Sequence, residues 1–405
     1  MEIRAGRRVR LMALALAAAV AAGCGGGGGG GLPGDPLPPI APADPDPLPQ
    51  VLQWGTFPEA RVVLGQPDFD RGDQPAGTPA LDQLRTPEGN PGVSSDGTLF
   101  VAGIGGLRAF RDYGATSGAS ARFGIEADAS GVSVHGNRLV YVGDNQVRIF
   151  NRVPEGAEAQ PDVTFGAGDL GLCEANRLNR PRAAYVTPKG KLVVADTNNN
   201  RVLIWNRIPE GGRAGNADIV IGQGRKTTCQ PNDGNEDGLP DFSPNDQTLN
   251  APISVWSDDV RLVVVDQGNH RVLIWDEFPT TEFQPANRVI GQNDFTLGLP
   301  NGGQPAPSDT TLLNPASVDV RPGGQMVVAD AGNHRVLVWN AFPESNGQAA
   351  SQVIGQRDFS GNAANAGGAT GAATLRSPMG VRLDGRNLIV VDRDNHRALV
   401  FRATN

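Results

Sequence analysis

The sequence is poor in reactive side chains. Its 405 residues include three cysteines and four histidines. No C-x-x-C pair occurs, which excludes a dithiol redox centre. Basic residues are outnumbered: the net charge of −8 argues against a nucleic-acid partner. The apolar stretch Leu11 to Ala22 is too short to cross a bilayer as a mature helix. Candidate catalytic groups occur in repeated copies, whereas a catalytic residue is normally singular. What the chain has in abundance is glycine and proline, 54 and 32 residues. After residue 50 they punctuate short apolar runs, an all-β habit.

The N-terminus carries Arg4, Arg7, Arg8 and Arg10, then the apolar stretch, then Ala21, Ala22, Gly23 and Cys24. Those last four residues resemble the bacterial lipobox. The resemblance implies that 1–23 is a lipoprotein signal peptide and that Cys24 is diacylated. Two acyl chains give stable membrane attachment where one does not. Residues 24–50 follow as a Gly-rich and then Pro-rich tether, floppy at first and extended after. The expected compartment is the bacterial cell envelope, periplasmic or surface-exposed.

Residues 51–405 read as a repeat. Leu192 to Trp205, Leu262 to Trp275, Met326 to Trp339 and Leu388 to Phe401 share one pattern of strand, tight turn and strand. Degenerate copies run from Leu99 to Phe110 and from Leu139 to Phe150. Pro252, Pro315 and Pro378, and more loosely Pro181, precede the strong copies. Gly-Gln at Gln223, Gln292 and Gln356 closes the unit that follows. Each unit therefore predicts four short strands, and six such units predict propeller blades. The pattern strongly resembles the NHL repeat, with Asn269-His270, Asn333-His334 and Asn395-His396 at its signature turn. That resemblance implies a six-bladed β-propeller. The last copy lacks an outer strand, and Ala60 to Gln66 matches one. This N-terminal segment is expected to close the ring and remove an exposed edge. Val51 to Trp54 has no predicted position.

Four repeated Asp–Arg pairs (Asp196 with Arg201, Asp266 with Arg271, Asp330 with Arg335, Asp392 with Arg397) read as turn stabilisers, with the turn asparagine capping backbone groups. His270, His334 and His396 occupy equivalent points on separate blades. Such points lie on the order of 10 Å apart, too far for a shared metal. Asn232, Asn301 and Asn365 each stand nine residues after a Gly-Gln glutamine, and Asn176 falls in the same register. Cys173 and Cys229 each lie seven residues after the glycine of their unit, in loops of adjacent blades, and predict a disulfide.

The loop leading into the fourth unit is six or seven residues longer than its counterparts and reads D-x-N-x-D-G-x-x-D. It is similar to the calcium loops of EF-hand, dockerin and thrombospondin type 3 repeats. Asp233, Asn235, Asp237 and Asp241 would supply side-chain oxygens and Leu239 a carbonyl. Pro244 stands where an EF-hand has its twelfth-position Glu.

Two functions fit. The first is a non-enzymatic binding or scaffold module, anchored to the membrane through its N-terminal lipid, with a protein or glycan ligand. The second is a metal-dependent envelope hydrolase or lyase, like the propeller lactonases and the peptide-amidating lyase. Those enzymes hold a metal at the central channel. Asp319 and Asp384 are the acidic residues nearest the predicted inner strands.

Overall fold

A computed structural model describes residues 51–405, except 116, 126, 167–172 and 211–214. Cys24, the expected signal peptide and the tether lie outside the described residues. All those described fall in the unit Pro47–Asn405.

Among the described residues, the strands form six four-stranded antiparallel sheets. Each is one propeller blade, and in five of them the strands follow chain order from the axis outward. Blades 1 to 5 span 88–125, 131–165, 183–221, 252–290 and 315–354. Blade 6 takes three strands from 378–402 and its outer strand, Val62–Leu64, from the other end of the chain. Val62 pairs with Val400, Val63 with Leu399 and Leu64 with Ala398. The expected N-terminal closure is present.

The physical reason for the ring lies in the cores. The strong copies alternate β-branched and leucine residues that are buried on both faces of the sheet, as in Leu262–Asp266. A single blade cannot cover two apolar faces, so each must stack on its neighbours. The buried side chains accordingly divide into clusters shared by adjacent blades. One joins Val263 and Ile274 of blade 4 to Val328 and Leu337 of blade 5. The cluster that closes the circle joins Val62, Leu64, Ile389 and Val400 of blade 6 to Leu99, Val101 and Phe110 of blade 1. Each fully buried aliphatic side chain contributes roughly 1.5–3 kcal/mol, so every blade interface is a substantial core.

The Gly-Gln ending has a geometric cause. Gly65 has a φ of +88°, and a Cβ there would lie 2.6 Å from Leu84 Cγ. Only glycine lets the closing strand turn so tightly over that leucine. Gln66 Nε2 then donates to the carbonyls of Asp73, Asn395 and His396. Gln356 does the same for Asn333, His334 and Ala363.

Val51 to Trp54, unplaced by the sequence, forms a second clasp. Leu52 and Trp54 are buried in the core between blades 5 and 6. Leu52 N–H donates to Gln325 Oε1 at 3.0 Å, and Gln325 Nε2 donates back to the Leu52 carbonyl at 2.8 Å. The C-terminus completes it, with Thr404 N–H donating to the Gln53 carbonyl and Asn405 Nδ2 to that of Val51.

Candidate functional site

The repeated polar residues make one constellation, four times. In blade 5, Asp330 and Arg335 are fully buried, with Arg335 Nε 2.8 Å from Asp330 Oδ2. The same oxygen accepts Asn333 Nδ2, and Oδ1 accepts the Leu313 N–H, both at 2.7 Å. The remaining guanidinium N–H groups donate to the carbonyls of Phe359, Ser308 and Thr311. Asp196, Asp266 and Asp392 pair with their arginines at the same 2.8 Å. Burial pushes these carboxyls up, while the adjacent guanidinium and the amides pull them back down. Each triad fastens the long loop beside its blade, and its side chains are buried.

The turn asparagine does not cap the backbone, contrary to expectation. Its amide donates to the buried Asp and pairs with the loop asparagine of the preceding linker. Asn333 and Asn301 exchange bonds of 2.8 and 3.3 Å. Asn269 with Asn232 and Asn395 with Asn365 form the same pair. The asparagine nine residues after Gly-Gln is thus the partner that ties each linker to the next blade.

The three histidines join blades. Each takes a left-handed φ, 52° to 55°, at the end of the turn. Its Nδ1 accepts a backbone N–H from the next blade: Asn314 to His270 at 3.1 Å, Ser377 to His334 at 3.0 Å, and Thr86 to His396 at 3.0 Å. An accepting Nδ1 is unprotonated, so the neutral ring carries its proton on Nε2. Burial pushes all three imidazoles below the usual histidine value. In blade 3 Asn200 Oδ1 takes the same role toward Ala251 N–H, and in blade 2 Asn145 Oδ1 toward Arg180 N–H. All five donors directly precede a proline and have positive φ. Sequence reasoning missed this role. The available signal was the pairing of a turn-end His or Asn with an unusual residue before proline.

The long loops share the face that carries these turns. Cys173 and Cys229 form the expected disulfide, with Cα atoms 6.1 Å apart. It staples the linker after blade 2 to the linker after blade 3. In the loop 233–241, Asp233 is buried and its two oxygens accept the N–H groups of Asp237 and Gly238 at 3.1 Å. Asp241 Oδ2 accepts Gly234 N–H. Asp237 Oδ1 accepts Leu239 N–H and its Oδ2 the Asn235 amide. Leu239 is exposed. Among the described residues, no three His, Cys, Asp or Glu side chains are grouped to hold a metal ion.

The axis is crossed by a side chain. Asn90, on the inner strand of blade 1, donates from Nδ2 to the Val318 carbonyl of blade 5 at 2.9 Å. Its Oδ1 accepts Ser317 Oγ of blade 5 and Ser254 Oγ of blade 4. Blades 1 and 4 stand opposite in a ring of six, so Asn90 bridges the channel. Asp319 is buried further along: Oδ2 accepts Leu383 N–H at 2.8 Å, and Oδ1 faces Arg382 at 3.3 Å. Burial pushes its carboxyl up against that pairing. Asp384 accepts the Tyr113 hydroxyl. The axial carboxylates are engaged with the protein's own groups.

On the turn face the axis opens into a recess of about 510 Å³. Its rim carries Arg180, Arg182 and Arg393, with Asn198, Gln267 and Asn314 between them. Buried Ile253 and Met379 line it more deeply. Sequence reasoning gave no hint of it, because its residues come from two kinds of loop and the starts of the inner strands in four blades.

Residues 178–205, which contain the blade 3 triad, match the NHL repeat family. Blades 4, 5 and 6 reproduce that triad's core bonds, Asp to Arg and Asp to Asn. No curated protein matches the chain. Among solved structures, a chain described as "Crystal Structure of Mitotic Checkpoint Complex" aligns with 92% of this chain and all of its own length. That alignment has 13% identity and a TM-score of 0.47. The protein is an all-β, six-bladed propeller with an NHL repeat, an architecture commonly used as a binding or scaffold module.

Proposed function

We propose that this propeller is a lipid-anchored binding module of the bacterial envelope, presenting its turn-and-loop face to a ligand and performing no chemistry. The observation that carries the reading is how the polar groups are spent. The buried Asp–Arg triads hold loops, the histidines join blades, and Asn90 bridges the axis. The axial recess and the long loops on one face remain as the surface for recognition. Anchoring rests on the lipobox-like residues ending at Cys24. Mass spectrometry of membrane-extracted protein is expected to find a diacylated N-terminal Cys24, and Cys24→Ala to release the chain or stall its processing. A soluble, unmodified wild-type chain would overturn the anchor. Turnover of a lactone or amide substrate would overturn the non-enzymatic reading.

Calcium in the loop 233–241 is part of the same proposal. Glu236 joins Asp233, Asp237 and Asp241 in these nine residues, and the four carboxylates repel one another unless a cation lies among them. The backbone N–H bonds of Asp233 and Asp241 compete with that ion. Binding is therefore expected to be weak, on the order of 10⁻⁴–10⁻³ M. Calorimetric titration of the wild type and Asp237→Ala tests it; identical heats would remove calcium from the reading.

A further inference from the structure

We infer that the axial recess on the turn face binds the carboxylate of a small, singly charged aliphatic ligand, the class represented by an N-acyl amino acid. The inference rests on the binding-module reading and gives its ligand a chemistry.

Charge is the first argument. The chain as a whole is acidic at −8, yet among the described residues every charged one lining this recess is an arginine. Two of the three are partly neutralised by the protein. Arg182 pairs with Glu88 at 2.9 Å, and Arg393 with Asp394 at 2.8 Å. Arg180 is exposed and has no ion-pair partner among the described residues. Arg180, which also borders the neighbouring recess that holds Asp128 and Asp144, is thus the one guanidinium of this lining outside an ion pair among the described residues, and a single free guanidinium suits a monoanion better than a phosphate dianion. A guanidinium presents parallel N–H donors that match a carboxylate in a two-pronged bond.

The backbone supports the same group. Arg180 is one of the positive-φ residues before proline, and its N–H is held by Asn145 at 2.7 Å. The main chain that carries the guanidinium is therefore fixed by the neighbouring blade.

Polarity and size supply the rest. Deeper in the recess, Ile253 and Met379 offer an apolar surface to a hydrocarbon side chain. Asn198 and Asn314 are exposed, and their amides can pair with a peptide-like N–H or carbonyl. No aromatic ring lines the recess, so it has no platform for a nucleobase or the face of a sugar. A volume of about 510 Å³ lies in the usual range for small-ligand pockets, roughly 300–1,000 Å³.

The test is calorimetry on the full-length protein in detergent, with N-acetyl-L-leucine, its neutral counterpart N-acetyl-L-leucinamide, and inorganic phosphate. Saturable binding of the acid is expected at millimolar concentration or below. The amide and phosphate are each expected to bind at least tenfold more weakly. Arg180→Gln is expected to weaken the acid at least tenfold at an unchanged thermal midpoint, because its side chain is exposed. Arg393→Gln provides a second variant, with a smaller loss expected because Asp394 already shares its charge. Equal binding of acid and amide, tighter binding of phosphate, no binding of the acid, or full affinity in both variants would each overturn the inference. None of these outcomes touches the binding-module reading, which falls instead if the protein turns over a substrate.

Discussion

Blades 3 to 6 and blades 1 and 2 build the same four-stranded sheet by different means. In the strong blades a buried carboxylate closes each turn. At the matching register, blade 1 has Gly103 and blade 2 has Gly143. Their arginines are displaced to Arg108 and Arg148: Arg108 reaches the carbonyls of Gly105 and Pro79, and Arg148 reaches that of Gly143 together with the exposed Asp144. The aspartate cannot simply be restored in blade 2, because a Cβ on Gly143 would lie 1.9 Å from the Asp128 carbonyl oxygen. What the degenerate blades gain is individuality. Blade 1 carries Asn90, the side chain that crosses the axis, and Glu88, which partners Arg182 at the recess. Where the repeat is kept the residues maintain the ring, and where it decays they make one part of the ring unlike the rest.

The largest expected effect breaks that comparison directly. Asp330→Ala leaves Arg335 buried without its counter-charge, and removing one partner of a buried pair costs roughly 3–5 kcal/mol. Asp144→Ala in blade 2 removes from Arg148 only a partner whose side chain is 59% exposed, so the loss should stay below about 1 kcal/mol. Urea unfolding of the two variants measures the difference. Equal losses would mean that the buried triads are no more than surface pairs in a sheltered setting.

A smaller effect sharpens the comparison among blade junctions. His270, His334 and His396 accept through an imidazole, whereas Asn200 and Asn145 accept through an amide that does not titrate. Burial holds each folded imidazole below the unfolded value of 6.5. A depressed pKa means the unfolded chain binds the proton more readily. The stabilisation is thus fully present above pH 6.5 and is lost as pH falls from there through the folded value. Replacing all three by Asn should leave stability at pH 7.5 within about 1 kcal/mol of the wild type. It should also flatten the decline below pH 6.5. Thermal melts across that range decide it; an unchanged acid slope would show that the histidine junctions are not what titrates.

Repetition also decides what was legible in the sequence. The blade count, the closing strand and the disulfide pair all rest on residues that recur at equal spacing, so comparing copies was enough to find them. The asparagines after Gly-Gln were visible as a register, but not their partners. Periodicity aligns a residue with its copies and says nothing of what it touches across a junction. The histidine role was hidden for the same reason. Asn90 was hidden for the opposite one: it occurs once, in a blade whose copy is degenerate, with nothing to align it against. Val51 to Trp54 resembles an ordinary third strand, yet it packs across blades 5 and 6 because blade 6 already has that strand in Arg397–Arg402.

The clasp formed by Val51 to Trp54 has a mechanical meaning. Any pull on the segment before Val51 reaches the propeller first through Leu52 and Trp54, and only then through the three-residue strand Val62–Leu64. Leu52 and Trp54 are wedged between two blades and tied to Gln325, Gln352 and the C-terminal residues. Without them, the same force would peel a short edge strand away one bond at a time. With them, the load is shared between two blades and the far end of the chain, so the segment acts as a strain relief for the seam of the ring.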